Sequence, residues 1–472
     1  MKILFIHRYN FFTPIGIMSL SAVLKNNGHS CYFIDLAFCR NIIKEISAVQ
    51  PEIIAYSINI GNYKYYYKLN LKLKKHFQFF SIFGGTHPTL NPDFISLKGV
   101  DSICIGEGEF AFLELADKMQ AHLDYTKVEN IWVKVNDVVY KNINRPLIGD
   151  LDLLPFPDRD LIYKYEVYKR SHTKWVLASR GCIYNCSYCY NSAINKITKS
   201  NSIRSRSADN VISELLVIKQ NFSPKKIHFI DDILNYDQQW IIDFLIKYKE
   251  KIKIPFIAII RLNLINENIV KLLKVAGCYL VECGIETGNE AFREKVLNRH
   301  MTNEKIIEAC NLLKKYGIKI LSLNILGLPD ETVDMARETL ALNKTCHVDY
   351  ASSSIFQPYP GTELAKYALS KEYYNDQIQS IRNNWYTKGS DLKMIGISQI
   401  VRSHYLMNIF VKIPVLFRIF KPLVALPFDL LYKILFFIDK SIHLIFVINK
   451  IDISEIFLFL RYRVLKPRKI IE

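Results

Sequence analysis

Cys182, Cys186 and Cys189 stand in one short run, Ser179-Arg180-Gly181-Cys182-Ile183-Tyr184-Asn185-Cys186-Ser187-Tyr188-Cys189. A single loop can therefore point three sulfurs at one centre. It directly follows Lys174-Trp175-Val176-Leu177-Ala178, an apolar run of strand length. Structural zinc sites usually close four ligands around the ion, commonly as two well-separated pairs. No second cysteine pair follows here at finger-like spacing. Iron–sulfur clusters are held by cysteine thiolates in compact runs of this kind. Three thiolates on a cubane leave one iron open, which suits a site that must bind a small molecule. A [4Fe-4S] cluster is the favoured occupant, and a non-catalytic zinc-binding scaffold is the alternative from another class.

With the aromatic Tyr188 ahead of its last cysteine, the loop resembles the signature of the radical S-adenosylmethionine (radical SAM) enzymes. The resemblance implies that the open iron chelates the amino and carboxylate groups of the cofactor's methionine part. An electron from the cluster then cleaves the sulfonium to a 5′-deoxyadenosyl radical.

At 472 residues the chain is long enough for about three domains with sizeable cores. The other cysteines, Cys31, Cys39, Cys104, Cys278, Cys283, Cys310 and Cys346, are scattered. They read as reduced, buried small hydrophobes, so the expected compartment is a reducing cytoplasm. The apolar start at Met1–His7 is strand-like and too short for a signal peptide. A net charge of +17 raises nucleic acid or an anionic membrane as partners. No stretch combines aromatic and basic residues in an RNA-binding signature, so nucleic acid is not expected.

Over residues 1–140 strand-like runs (Ile3–His7, Cys31–Asp35, Ile53–Ser57, Phe79–Phe83, Ser102–Ile105) alternate with helical ones. This predicts a doubly wound, Rossmann-like α/β domain, whose ligands bind at the strand carboxyl ends. The candidate ligand loops are Gly84-Gly85-Thr86-His87-Pro88 and Gly106-Glu107-Gly108-Glu109. On composition alone they are equally well plain turns. The pattern Thr13-Pro14-Ile15-Gly16, Ser21-Ala22-Val23-Leu24, Gly28-His29 and Ile34-Asp35, followed by these loops, resembles the cobalamin-binding domain in front of many radical SAM enzymes. That assigns Gly84, Gly85, Gly106 and Glu107 to cobalamin. An Asp-x-His-x-x-Gly motif is absent, so none of His7, His29 and His87 is expected to ligate cobalt from below. Trp132–Tyr140 reads as a hairpin around Asn136-Asp137, and residues 141–170, with Pro155 and Pro157, as a linker.

From 171 to 375 six further strand candidates (Trp175–Ser179, Ile227–Asp231, Phe256–Arg261, Tyr279–Ile285, Lys319–Leu326, Tyr350–Phe356) alternate with helices. Six repeats do not close an eight-fold barrel, so an open, partial (β/α)6 barrel is predicted, with active residues at the strand carboxyl ends. Those ends carry Asp231-Asp232, Arg261, Gly284-Ile285-Glu286, Gly327-Leu328-Pro329 and Pro358-Tyr359-Pro360-Gly361-Thr362. The bland alternatives are solvated turn residues for Asp231-Asp232 and, for Glu286, an acid opposing the dipole at a helix N-terminus. Their order matches the same family, and by that resemblance Asp232 and Glu286 contact SAM while Gly327 and Pro329 line its adenosyl pocket. Arg204 and Arg206 match basic positions in relatives, without an assigned role.

Residues 376–472 read as a basic, hydrophobic helical region. From 401 onward twelve Lys and Arg face five Asp and Glu, interleaved with apolar runs such as Ile434–Ile438 and Leu444–Ile448. Charges recur too often for a membrane-crossing span. Two readings remain: amphipathic helices lying on an anionic membrane, or a helical cap on the barrel mouth. The whole resembles a cobalamin-dependent radical SAM enzyme, which implies methylation of an unactivated carbon of a small-molecule or lipid substrate. Oxidative cyclisation or rearrangement on the same framework is the alternative. The cofactors implied are a [4Fe-4S] cluster, S-adenosylmethionine and cobalamin, and the electron donor a flavodoxin or ferredoxin.

Overall fold

The computed structural model describes residues 1–9, 12–374 and 389–447. Six of the basic residues counted above, Lys450, Arg461, Arg463, Lys466, Arg468 and Lys469, lie outside the described residues, as do Ile448 and the expected boundary at 375–376. The described chain forms two compact units, 1–171 with 194–200, and 172–193 with 201–447. Residues 141–170, expected as a linker, belong to the first unit. Asp158 fastens them there, accepting from Ser21 Oγ at 2.6 Å and from Lys25 Nζ at 2.6 Å.

The first unit holds β1 (Lys2–His7), β2 (Ser30–Asp35), β3 (Ile53–Ser57), β4 (Phe80–Gly84), β5 (Ser102–Cys104), β6 (Ile131–Val135) and β7 (Val138–Tyr140), in the order β2-β1-β3-β4-β5-β6-β7. β1 to β5 pair in parallel, and β6 and β7 add antiparallel strands at one edge. The order reverses between β1 and β3, the switch point expected of a doubly wound domain. β1 and β3 are near-continuous buried apolar runs, as strands covered by helices on both faces must be. The expected hairpin turn is present: Asn136 and Asp137 take φ of +50° and +62°, as a two-residue turn requires.

In the second unit β8 (Thr173–Val176), β11 (Lys226–Phe229), β12 (Phe256–Ile260), β13 (Cys278–Glu286), β14 (Lys319–Leu326) and β15 (Tyr350–Ile355) form one parallel sheet in strict sequence order. The short β9 (Ser179–Arg180) and β10 (Arg204–Ser205) make a separate antiparallel pair. Sequential parallel order with β8 and β15 unpaired to each other is the open barrel that six repeats predict. Most of its helices begin at a side-chain cap. Ser207, Asp237, Asn266, Thr302, Thr332 and Thr362 each accept from an amide of the first turn.

Four α-helices, Ile397–Lys412, Pro414–Phe417, Phe420–Ala425 and Asp429–Ile442, and a π-helical turn at His443–Val447 close the described chain. Ile400, Tyr405, Met407 and Phe410 join the core between sheet and surrounding helices, and Asn408 accepts from Ala351 of β15, so the helix Ile397–Lys412 covers the edge strand. Among the described residues, no helix is long and apolar enough to cross a membrane.

Candidate active site at the strand ends of the second unit

The cysteine loop is placed by backbone before any side chain acts. β9 leads into it, held against β10 by the Ser179–Ser205 and Arg180–Arg204 pairs. Gly181 then turns with φ +91°, and a Cβ there would stand 2.5 Å from the carbonyl oxygen of Ser202. Only glycine fits so close an approach. Asp231, fully buried, braces the same stretch: its carboxylate accepts from Ala178 N at 3.0 Å and Ser179 Oγ at 2.6 Å. Burial pushes its pKa up to about 6. The paired acids thus divide their work, because Asp232 is exposed and takes hydrogen bonds from the side chains of Tyr190 and Asn191 just past the last cysteine.

The loop is tied down on its far side as well. Ser187 donates from its amide to Leu297 O (3.0 Å) and from its hydroxyl to Val296 O (2.6 Å), and Asn298 Nδ2 donates to Asn185 O (2.9 Å). Cys182 and Cys186 are 8 % and 5 % exposed and Cys189 is half-buried. Burial raises the Cys182 thiol and pushes Cys189 up to about 12, so these sulfurs become thiolates when a metal takes the proton's place. A cubane takes one thiolate on each of three separate irons, and three sulfurs in one pinned loop, two buried and one half-buried, fit it.

Two cations that the sequence pattern did not single out as a pair flank the loop. Arg299 Nη1 lies 4.0 Å from Cys186 Sγ, while Nη2 donates to Gly284 O at 2.6 Å. Arg261 stacks its guanidinium 3.4 Å above the Tyr184 ring and donates to Asn263. Glu286 meets this group from the end of β13. It sits where the register with β14 shifts, at φ +68°, an uncommon conformation for a residue with a side chain. Burial raises its pKa against the pull of Arg299 and a hydrogen bond from Tyr188. Carboxylate, guanidinium and cluster thiol are thereby brought together from three separate stretches of chain.

The loop after β14 folds around its own acid. Glu331, 2 % exposed, accepts from the amides of Gly327 and Leu328, and burial pushes its pKa up to about 8. Gly327 carries φ +74°, and Asp330 binds the hydroxyls of Tyr367 and Tyr373, so Pro329 is followed directly by two anchored acids. Glu331 escaped sequence reasoning, although a carboxylate four residues after a turn glycine is a usable signal. Arg206 is buried against Glu214 and Asn210, a brace for its own helix, and Arg204 pairs with Arg180 in β9.

In the first unit both candidate loops lie at strand carboxyl ends, Gly84-Gly85 after β4 and Gly106 after β5. A Cβ on Gly85 would press to 2.6 Å on Ile58 O, so this glycine serves the backbone crossing. One on Gly106 (φ +79°) would meet nothing within 4 Å, so this glycine opens onto free space in which a large ring can approach the backbone. Glu107 turns away: its carboxylate accepts from Ile148 N at 2.8 Å and its carbonyl from Asn130, so it fastens the chain that follows. His29 lies between the N-terminal amine and Asp117, at the amino end of β2 and off the ligand rim. His7 stacks on Phe33 and His87 on Tyr63.

Residues 176–342 match the Radical SAM superfamily and residues 1–116 the B12 binding domain. An uncharacterised methyltransferase of Pyrococcus horikoshii is 30% identical over 368 residues, covering 76% of this chain and 78% of that protein. Among solved structures, the radical S-adenosylmethionine methyltransferase TsrM from Kitasatospora setae, with cobalamin and a [4Fe-4S] cluster bound, superposes with a TM-score of 0.65 at 16% identity over 78% of each chain. OxsB, a cobalamin-dependent S-adenosylmethionine radical enzyme with aqua-cobalamin and S-adenosylmethionine bound, gives 0.68 at 17% identity, covering 98% of this chain and 75% of that one. At such identities the two structures speak for the fold. With the fold, the cysteine loop and the P. horikoshii relative in agreement, the chain belongs to the radical SAM superfamily, among the cobalamin-dependent enzymes that carry a B12 binding domain ahead of the radical SAM domain.

Proposed function

We propose that this enzyme methylates an unactivated carbon of a small-molecule or lipid substrate. The cluster, SAM and cobalamin, when bound, supply the radical and the methyl group. The observation that carries the reading is the buried cysteine loop with Arg299 beside Cys186 and Glu286 across from it. Cys182, Cys186 and Cys189 hold the cluster. The carboxylate of Glu286 accepts from hydroxyl or ammonium groups of the cofactor, and Asp232, exposed just past β11 with β12 between, offers a second acceptor. Arg299 and Arg261 balance the charge of thiolates and of a carboxylate brought against them. The anchored Gly327–Glu331 loop gives adenosine a fixed wall. Gly106, and the Gly84-Gly85 turn two strand ends away from the switch point, present backbone to cobalamin. Reducing equivalents come from a flavodoxin or ferredoxin.

The test is 5′-deoxyadenosine formation by anaerobically reconstituted protein with SAM and a strong reductant, run beside Cys186→Ala. Product from the wild type alone, with four irons and labile sulfide per chain, is the expected result. Stoichiometric zinc in place of iron would overturn the reading. Transfer of label from methyl-labelled SAM to substrate, dependent on added cobalamin, then separates methylation from cyclisation.

A further inference from the structure

Exposed large hydrophobic side chains stand singly or in pairs over most of the described chain, but not over its last stretch. Ile413, Val415, Ile419, Leu426, Phe428, Leu430, Leu431, Ile434, Phe437, Ile438 and Ile442 are all exposed, between 41% and 75%, within thirty residues. On the helix Asp429–Ile442 the inward positions Tyr432 and Phe436 are buried against the core, and the outward ones are apolar too. An outer helix face that exposes Leu430, Leu431, Ile434, Phe437, Ile438 and Ile442 together marks a surface that something else covers.

Charge says what the cover is. Lys433 and Lys440 hold their ammonium groups over the Tyr405 and Phe436 rings, 5.7 and 5.4 Å from the centroids, so positive charge stands among the apolar side chains of this face. Both acids of the helix are engaged, Asp429 with Arg402 at 2.9 Å and Asp439 with Asn408 and His443. Beside the exposed Ile413 and Val415 runs a cleft lined by Lys344, His347 and Lys412 with Pro414 and Phe417, and Arg337 and Lys344 both face the Phe417 ring. A second copy of the chain, docking patch on patch, would set lysines against lysines. The segment 448–472 repeats the same sign, with six Lys and Arg against three Asp and Glu. The occupant that complements both properties is an anionic lipid surface. We propose that the face formed by Ile413–Ile442 is a peripheral membrane-docking site, with its apolar side chains at acyl-chain depth and its lysines and basic cleft on the headgroups.

The full-length protein is floated with vesicles of phosphatidylcholine alone and of phosphatidylcholine mixed with phosphatidylglycerol. Binding to the anionic vesicles, released by high salt, is expected. Lys433→Gln weakens it about fivefold, the share of one charge near such a surface. Ile434→Gln with Phe437→Gln abolishes it while iron content and helicity stay unchanged, and Leu216→Gln with Val217→Gln, an exposed apolar pair on a barrel helix, has no effect. Equal binding to neutral vesicles, or no binding to either kind, overturns the proposal. So does a wild-type dimer in solution that the Ile434/Phe437 variant splits, since the face would then belong to a second copy.

Discussion

Replacing Gly181 by alanine probes the cysteine loop at a point where backbone alone decides. The residue holds φ +91°, and the new methyl group would lie 2.5 Å from Ser202 O. A side chain in left-handed backbone costs about 1–2 kcal/mol. Relieving the contact requires β9 and β10 to part, which adds about 1–3 kcal/mol of strain. The sum, about 2–5 kcal/mol, falls one residue from Cys182, so it displaces the first sulfur before it unfolds the barrel. After anaerobic reconstitution, iron and labile sulfide per chain should fall well below wild type, with Tm lowered. Gly106→Ala is the control: strained at φ +79° but free of contacts, it should leave iron untouched and weaken only cobalamin uptake. Full iron loading and an unchanged Tm for Gly181→Ala would refute the argument.

Three further outcomes follow from buried groups. With Glu331 raised from an ordinary 4.5 to about 8, its carboxyl favours the fold below pH 4.5, and that contribution drains away as the pH climbs to 8. The full loss is on the order of 5 kcal/mol, so Glu331→Gln, which keeps an acceptor for Gly327 and Leu328, should gain in Tm on the wild type between pH 5 and 8; parallel Tm–pH curves would exclude this. Asp231→Ala strands the Ala178 amide and the Ser179 hydroxyl, each at about 1–3 kcal/mol, whereas Asp231→Asn keeps an acceptor, so denaturant unfolding should rank the alanine variant lower. Arg293, fully buried, donates to Thr287 O, Met301 O and Asn303. Arg293→Met should lose about 3–5 kcal/mol and, by loosening the stretch that carries Arg299, reduce iron retention on gel filtration.

Much of this architecture is legible in the residues because parallel strands covered on both faces are short apolar runs that only alternating helices can separate. β12, β13 and β14 fall within a residue of their expected ends for that reason. β8 does not: it stops at Val176, and Ser179 goes to the β9–β10 pair, because Gly181 must pass beside Ser202. The cysteines declare themselves by spacing, which is local. Arg299 does not, since its meeting with Cys186 closes 113 residues of chain and leaves no periodic trace. Acids mislead in both directions: Glu107 and Asp231 look like ligands and serve as braces, and Glu331 passes unnoticed and holds a loop. In each case the deciding fact is which amide comes within reach, and that is a property of the closed fold.

A parallel sheet that stops at six strands has two raw borders, and a raw border is an invitation to any other extended chain. Here β15 is not left bare: Asn408 accepts its Ala351 amide at 3.1 Å, and Ser353 is bonded to the buried His404. Side chains from a helix some fifty residues downstream thus stand in for a seventh strand. The helix Ile397–Lys412 is consequently a guard of this border against fibrous self-addition as well as an appendage.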